Sequence, residues 1–200
     1  MKSTKTILAI LIVIMSIGSS IALSQGEQPF IISVQGGLFF PAQAQYKDVY
    51  QVSSDLVYGF GIGLPVSRTL IVTGDMSWFK SEAILGGVTD STTKIQEKFI
   101  HVGLLNKQPV NGAIFLRLSG GLNYITIKQA ISGPQSPENG KESEKKLGYY
   151  AGIGVENLFE GGRVAMFADA VYDYSRWHDT DFNGDFGGVR AVLGLNFILF

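Results

Sequence analysis

From Phe30 onward the chain alternates apolar residues with small or polar ones, residue by residue, in eight separate stretches. Side chains on a β-strand point to opposite faces with a period of two, so each stretch describes a strand with two unlike faces. A helix laid over the same residues would scatter both classes around its circumference. The first stretch sets Phe30, Ile32, Val34, Leu38 and Phe40 against Ser33, Gln35 and Gly37. The second sets Tyr58, Phe60, Ile62 and Leu64 against Gly59, Gly61 and Gly63, and the third Leu70, Val72, Met76 and Trp78 against Thr73, Asp75 and Ser77. Around His101 the pattern is weakest, with only Ile100, Val102 and Leu104 on one side. The design then returns: Ile114 to Tyr124 opposes Arg117, Ser119 and Asn123, and Leu147 to Val155 opposes Gly148, Gly154 and Glu156. In the last two stretches Val164 to Tyr174 opposes Asp169, Asp173 and Ser175, and Val189 to Phe197 opposes Gly188, Arg190 and Asn196. Each stretch is roughly ten residues long, which is what a tilted strand needs to cross a bilayer.

The connections alternate in length. Tight, turn-forming segments follow the second, fourth and sixth stretches: Pro65-Val66-Ser67, Gln108 to Gly112, and Glu160-Gly161-Gly162. Long ones follow the others: Pro41 to about Asp55, Ser81 to Gln96, Ala130 to Lys146, and about Arg176 to Gly187. The third, rich in Ser, Glu, Lys, Gly and Pro, is expected to be mobile. The order predicts an all-β, eight-stranded antiparallel up-and-down barrel over residues 28–200, with four long loops at one end. Short turns and both termini gather at the other.

Alternation alone does not say which parity faces inward. A soluble barrel is apolar inside and charged outside; a transmembrane barrel reverses this. Here composition decides. Charged residues are only 16% of the chain, against about 25% in a typical soluble domain, and the polar parity holds about one charge per strand among Gly, Ser, Thr and Asn. The apolar parity ends in Phe30, Phe40, Tyr58, Trp78, Tyr124, Tyr149, Tyr172 and Tyr174, the amphipathic rings that collect at membrane interfaces. The apolar parity is therefore expected to meet lipid.

The first residues fit this destination. Lys2 and Lys5 precede an apolar run from Ile7 to about Ile17, followed by small residues, the layout of a cleavable signal peptide over residues 1–22. Cleavage is expected after Ala22 or Ser24, and the run is too short for a bilayer-spanning helix. The chain has no Cys, which rules out both disulfides and attachment of a lipid through an N-terminal Cys. A net charge of −1 gives no reason to expect nucleic acid as a partner.

The whole mature chain resembles the small eight-stranded outer-membrane barrels of Gram-negative bacteria: the OmpX/Ail group, the membrane domain of OmpA, and the outer membrane protein beta-barrel domain proteins. The resemblance implies a bacterial outer-membrane location, contact with lipid and lipopolysaccharide, and handling by periplasmic chaperones and the barrel-assembly machinery during biogenesis. It also implies an assembly signal in the last strand, matched by Leu193, Leu195, Phe197 and Leu199, while Phe200 falls on the opposite parity. It implies a structural or surface-interaction role, with an extracellular ligand reached through the loops. No separate cell-wall-binding domain is expected after Phe200.

Candidate chemistry lies on the polar parity. Asp75, His101, Arg117, Glu156, Asp169, Asp173 and Arg190 are expected to pair inside the lumen, because isolated buried ions are expensive. The alternative is a narrow, porin-like ion path. Eight strands leave a bore that side chains fill, which favours a structural network. The two His, His101 and His178, stand in no Ser-His-acid arrangement, so neither an enzyme nor a cofactor is expected. One loop, with Asp179, Asp181, Asn183, Gly184 and Asp185, matches the opening of a calcium-binding loop. Its twelfth position is Arg190 where a bidentate Glu is required, so a polar hairpin tip is the simpler reading.

Overall fold

The protein is described by a computed structural model covering residues 29–42, 54–84, 92–132, 141–178 and 183–199. Eight strands run in chain order: β1 Phe30–Pro41, β2 Asp55–Pro65, β3 Leu70–Ile84, β4 Thr92–Asn111, β5 Ile114–Ser132, β6 Lys141–Leu158, β7 Val164–His178 and β8 Asn183–Leu199. Each pairs antiparallel with its sequence neighbours, and β1 pairs with β8 from Phe30↔Leu199 to Pro41↔Gly188, closing the barrel. Closure pairs the backbone N–H and C=O groups within the wall, the condition for strands to stand in hydrocarbon.

The expected parity holds in all eight strands. Ile32, Tyr58, Leu104, Leu122, Ile153, Tyr172 and Leu193 are among a continuous set of exposed apolar side chains on the outer wall. Arg117, Glu156, Asp173, Arg190 and Asn196 are buried inside. At the short-turn end, Gly112 (φ 49°) turns the β4–β5 hairpin, and Gly161 (φ 90°) and Gly162 (φ 69°) turn β6–β7. These left-handed conformations suit residues without a Cβ.

Two expectations need correction. The strands are not uniformly about ten residues long. β3 to β6 run to 15, 20, 19 and 18 residues, so much of what reads as loop is strand: Ser81–Ile84, Thr92–Gln96, Ala130–Ser132 and Lys141–Lys146. Likewise Gln108–Asn111 belongs to β4, with a register irregularity between Pro109 and Asn111. Along β4 the physical reason lies in the alternation itself, which continues past the lipid-facing band but inverts, whereas Lys141–Lys146 of β6 holds no apolar residue to mark the strand. In the upper part of β4, Lys94, Gln96 and Lys98 face outward while Ile95, Glu97 and Phe99 face inward, two of the three apolar. That is the pattern of a water-exposed barrel. The weak alternation around His101 marks the place where one pattern passes into the other.

The second correction concerns the bore. It is not lined by small and polar residues alone. Phe39, Val57, Phe79, Ile95, Phe99, Ile125, Ile127, Phe167 and Val192 form an internal apolar cluster, most of it toward the long-loop end. Phe39 packs edge-on against Phe79 and Phe99, with centroids 4.9 and 5.1 Å apart. A smaller cluster of Ile31, Ile71 and Leu105, with Ile198 against it, sits at the short-turn end.

Candidate functional site: the ionic lumen

Between these apolar ends the inward positions of β3 to β8 carry two ionic groups. In the lower one, nearer the short turns, Arg117 on β5 reaches across to β7. Its Nε and Nη2 donate to Asp169 Oδ1 and Oδ2, each at 2.9 Å, a two-pronged contact that fits the planar guanidinium to a carboxylate. Arg117 Nη1 and Lys107 Nζ both donate to Glu156, and Asn196 Nδ2 donates to Glu156 Oε2 at 2.8 Å. Two cations meet two carboxylates, so the group is balanced. The Arg117 guanidinium also lies 4.3 Å from the Phe167 ring centre.

Glycines make room for this arrangement. A Cβ on Gly154 would stand 1.9 Å from Asp169 Oδ1, and one on Gly194 would stand 2.3 Å from the Phe167 ring. The glycines opposite Asp169 and Phe167 are therefore the space into which both side chains lean, a role that alternation alone does not reveal.

The upper group is centred on His101, whose side chain is wholly buried. Its Nδ1 lies 2.8 Å from Asp75 Oδ1 and its Nε2 lies 2.6 Å from Asp173 Oδ1. Arg190 donates from Nε to Asp173 Oδ2 at 2.7 Å and from Nη1 to Ser77 Oγ at 2.9 Å. Asn123 Nδ2 adds a donor to Asp173 Oδ1 at 3.1 Å. Tyr150 packs edge-on against the imidazole, with centroids 4.7 Å apart. A cavity of about 70 Å³ with mixed walls touches both groups, lined by polar Ser33, Gln35, Thr73 and Ser119 and apolar Ile71 and Phe167 together with Asp75, Arg190, Arg117 and Asp169. That is room for a few water molecules.

All seven lumen residues expected from the sequence thus face the bore, and they segregate into two clusters. Reading the sequence placed Ser77 on the inward parity without a partner, and missed Lys107, Glu97, Tyr150 and the inward Phe residues. Lys107 was obscured because it sits beside an expected turn that is in fact strand. Glu97 directly follows the segment Ser81 to Gln96 read as loop; it is 2% exposed, and its Oε2, with Asn123 Oδ1 and Ser175 Oγ, makes no hydrogen bond within the described residues.

The remaining candidates separate. Asp179, Asp181 and Phe200 lie outside the described residues. The backbone of Asn183 and Asp185 is extended strand, paired with His178 and Arg176, not a curled cation loop, and no cluster of metal-ligating side chains occurs among the described residues. Leu193, Phe197 and Leu199 face outward with 65%, 38% and 49% exposure, and Leu195 shares their parity.

No protein-family model matches the chain, and no curated protein matches it in sequence. Solved structures do match. The N-terminal β-barrel domain of Pseudomonas aeruginosa OprF aligns at TM-score 0.51 and 14% identity, covering 88% of this chain and 100% of that one. Ail, the attachment invasion locus protein of Yersinia pestis, was solved in complex with the heparin analogue sucrose octasulfate. It aligns at TM-score 0.56 and 14% identity, covering 86% and 99%. Pseudomonas aeruginosa OprG aligns at TM-score 0.56 and 12% identity, covering 86% and 96%. The fold is that of the small eight-stranded outer-membrane barrels.

Proposed function

We propose that this barrel resides in a bacterial outer membrane as a closed structural element, whose tall long-loop end serves as a surface for interaction outside the cell. One observation carries the reading: the bore is filled. Two ionic groups span it, and apolar clusters occupy both ends, with Phe39, Phe79 and Phe99 fully buried toward the long loops. Ion-paired side chains and packed rings leave room for only a few water molecules between them, which argues against the narrow channel. His101 is buried and held by two carboxylates, so it presents no accessible base for hydrolysis, and the reading includes no catalysis. Function then falls to the part of the wall that rises beyond the lipid band, the extended β3–β6 hairpins. Ail, a protein named for attachment, has the same architecture, and that likeness supports the surface role.

The test pairs outer-membrane fractionation with planar bilayer recording. Heat-modifiable migration in the outer-membrane fraction and no unit conductance are expected. A soluble periplasmic protein would overturn the location, and steady unit currents would return the function to a channel.

A further inference from the structure

In the upper ionic group Asp75 and Asp173 are the carboxylates, and Arg190 is the one cation whose charge is fixed. Balance therefore turns on His101. Its Nδ1 lies 2.8 Å from Asp75 Oδ1 and its Nε2 lies 2.6 Å from Asp173 Oδ1. An ionised carboxylate only accepts, and a neutral imidazole has a single N–H to donate. A neutral ring would set a bare nitrogen against an oxygen at one of the two contacts. The alternative is a proton on a carboxyl group. Asp173 has no need of one, because its Oδ2 accepts from Arg190 Nε and its Oδ1 from Asn123 Nδ2. The Asp75 side chain is 25% exposed and borders the cavity, and imidazole is the stronger base of that pair by about two and a half pH units. The proton belongs on the ring.

The other neighbours leave that assignment standing. Tyr150 of β6 meets the imidazole edge-on and β5 offers the neutral Asn123. Arg190 Nη2 of β8 stands 3.2 Å from Nε2, one repulsion set against two attractions. Farther up β4, beyond Phe99, a charge on Glu97 would be negative and would favour the imidazolium. The inward positions of β1 from Ile31 to Phe39 hold no charge, and those of β2 hold only Asp55, at the long-loop end. Phe99 ties the ring to the apolar seal. It lies parallel to the imidazole, with centroids 6.2 Å apart, and packs edge-on against Phe39.

We propose that His101 stands as an imidazolium between Asp75 and Asp173 and acts as a pH-sensitive lock on the closed bore. Loss of one ring proton leaves the upper group with a surplus negative charge and parts the imidazole from one carboxylate. Phe99, and Phe39 through it, then lose their fixed seat. The inference rests on the closed bore proposed above and goes beyond it, because it names the condition under which the seal loosens. Linkage gives the sign. An unfolded chain gives up its histidine proton at about pH 6.5, so below that pH the lock contributes in full. Between that pH and the one at which the buried ring titrates, each pH unit upward lowers the folding constant about tenfold.

The test uses the full barrel in phosphatidylcholine nanodiscs, with heat-modifiable migration as the check that every variant is folded. His178→Gln leaves His101 as the one histidine of the chain and changes nothing at the site. Ring nitrogen NMR of that protein at about pH 7.5, where roughly nine in ten ordinary histidines are neutral, is expected to show protons on both nitrogens. In urea unfolding from vesicles, H178Q should lose about tenfold in folding constant per pH unit above neutrality relative to H101Q/H178Q, which lacks the titrating ring. A fluorine label on the Phe39 ring should shift over the same pH range as the imidazole. A neutral ring at that pH overturns the proposal, as does a pH dependence that H101Q/H178Q shares in full. A Phe39 signal that stays constant while the ring titrates overturns it too. Steady unit currents from the unmodified barrel at neutral pH would instead refute the closed bore; a silent barrel with a neutral His101 refutes the lock alone.

Discussion

Replacing Arg117 with Met removes the one side chain that joins both carboxylates of the lower ionic group, at little change in volume. Lys107 would then face Glu156 and Asp169 alone, with side chains of 11%, 2% and 11% exposure. The group would pass from charge balance to a surplus of one buried negative charge. Breaking a buried pair by removing one partner costs roughly 3–5 kcal/mol, because the remaining charge is left uncompensated. The second substitution makes the reasoning quantitative. Asp169→Asn in the R117M background restores the balance, with Lys107 still on Glu156, and should recover about 2 kcal/mol or more, within the range of couplings between residues in one network. Equilibrium urea unfolding in phospholipid vesicles, followed by tryptophan fluorescence, measures all four corners of the cycle. An R117M barrel within about 0.5 kcal/mol of wild type, with no coupling to D169N, would refute the argument. It would mean that water reaches these ions and screens them.

Other outcomes follow from the same wall. Leu118→Arg places a charge on the exposed outer face of β5; in a bilayer this should cost about 2–4 kcal/mol near the midplane, whereas an exposed site in water would register within about 0.5 kcal/mol. Gly154→Ala would drive a Cβ to 1.9 Å from Asp169 Oδ1 and 2.2 Å from the Ala168 carbonyl oxygen. A loss of about 1–3 kcal/mol in the same urea assay is expected, and unchanged stability would contradict the close approach. Phe99→Ala removes a fully buried ring from the internal apolar cluster and should lower stability by about 3–5 kcal/mol; a smaller effect would mean that the upper bore is loosely packed.

How much of this was legible in the sequence depended on one regularity. The eight strands and the two sets of side chains on each follow from period-two alternation, their up-and-down order from the alternating lengths of the connections, and the face that meets lipid from the sparse charge and the aromatic residues. The lumen charges were legible for the same reason: Arg117 or Asp173 stands out on a parity otherwise small. Pairing was not, since Arg117 meets Asp169 and Arg190 meets Ser77 across strands far apart in the chain, and only the barrel's radius and stagger decide who meets. Strand length was misread at Ser81–Ile84, Thr92–Gln96, Ala130–Ser132 and Lys141–Lys146, because along β4 the alternation inverts and because Lys141–Lys146 holds no apolar residue to alternate. Apolar residues such as Ile95 and Ile127 then look like interruptions of a lipid-facing pattern, although they continue a strand of the opposite kind.

That inversion also acts as a depth mark. Along β4 the outer face goes from Val102 and Ile100 to Lys98, while the inner face goes from His101 to Phe99, Glu97 and Ile95. Were the barrel to sink by two residues, about 7 Å along a strand, Lys98 and Lys145 would enter the hydrocarbon. A lysine costs about 0–1 kcal/mol just inside the interface and about 2–4 kcal/mol at the midplane, so the cost rises with depth and adds to the fractions of a kcal/mol per Å of ordinary thickness mismatch. The waterline is thus written once on each side of the same strand, and it biases the depth at which the barrel sits in a bilayer.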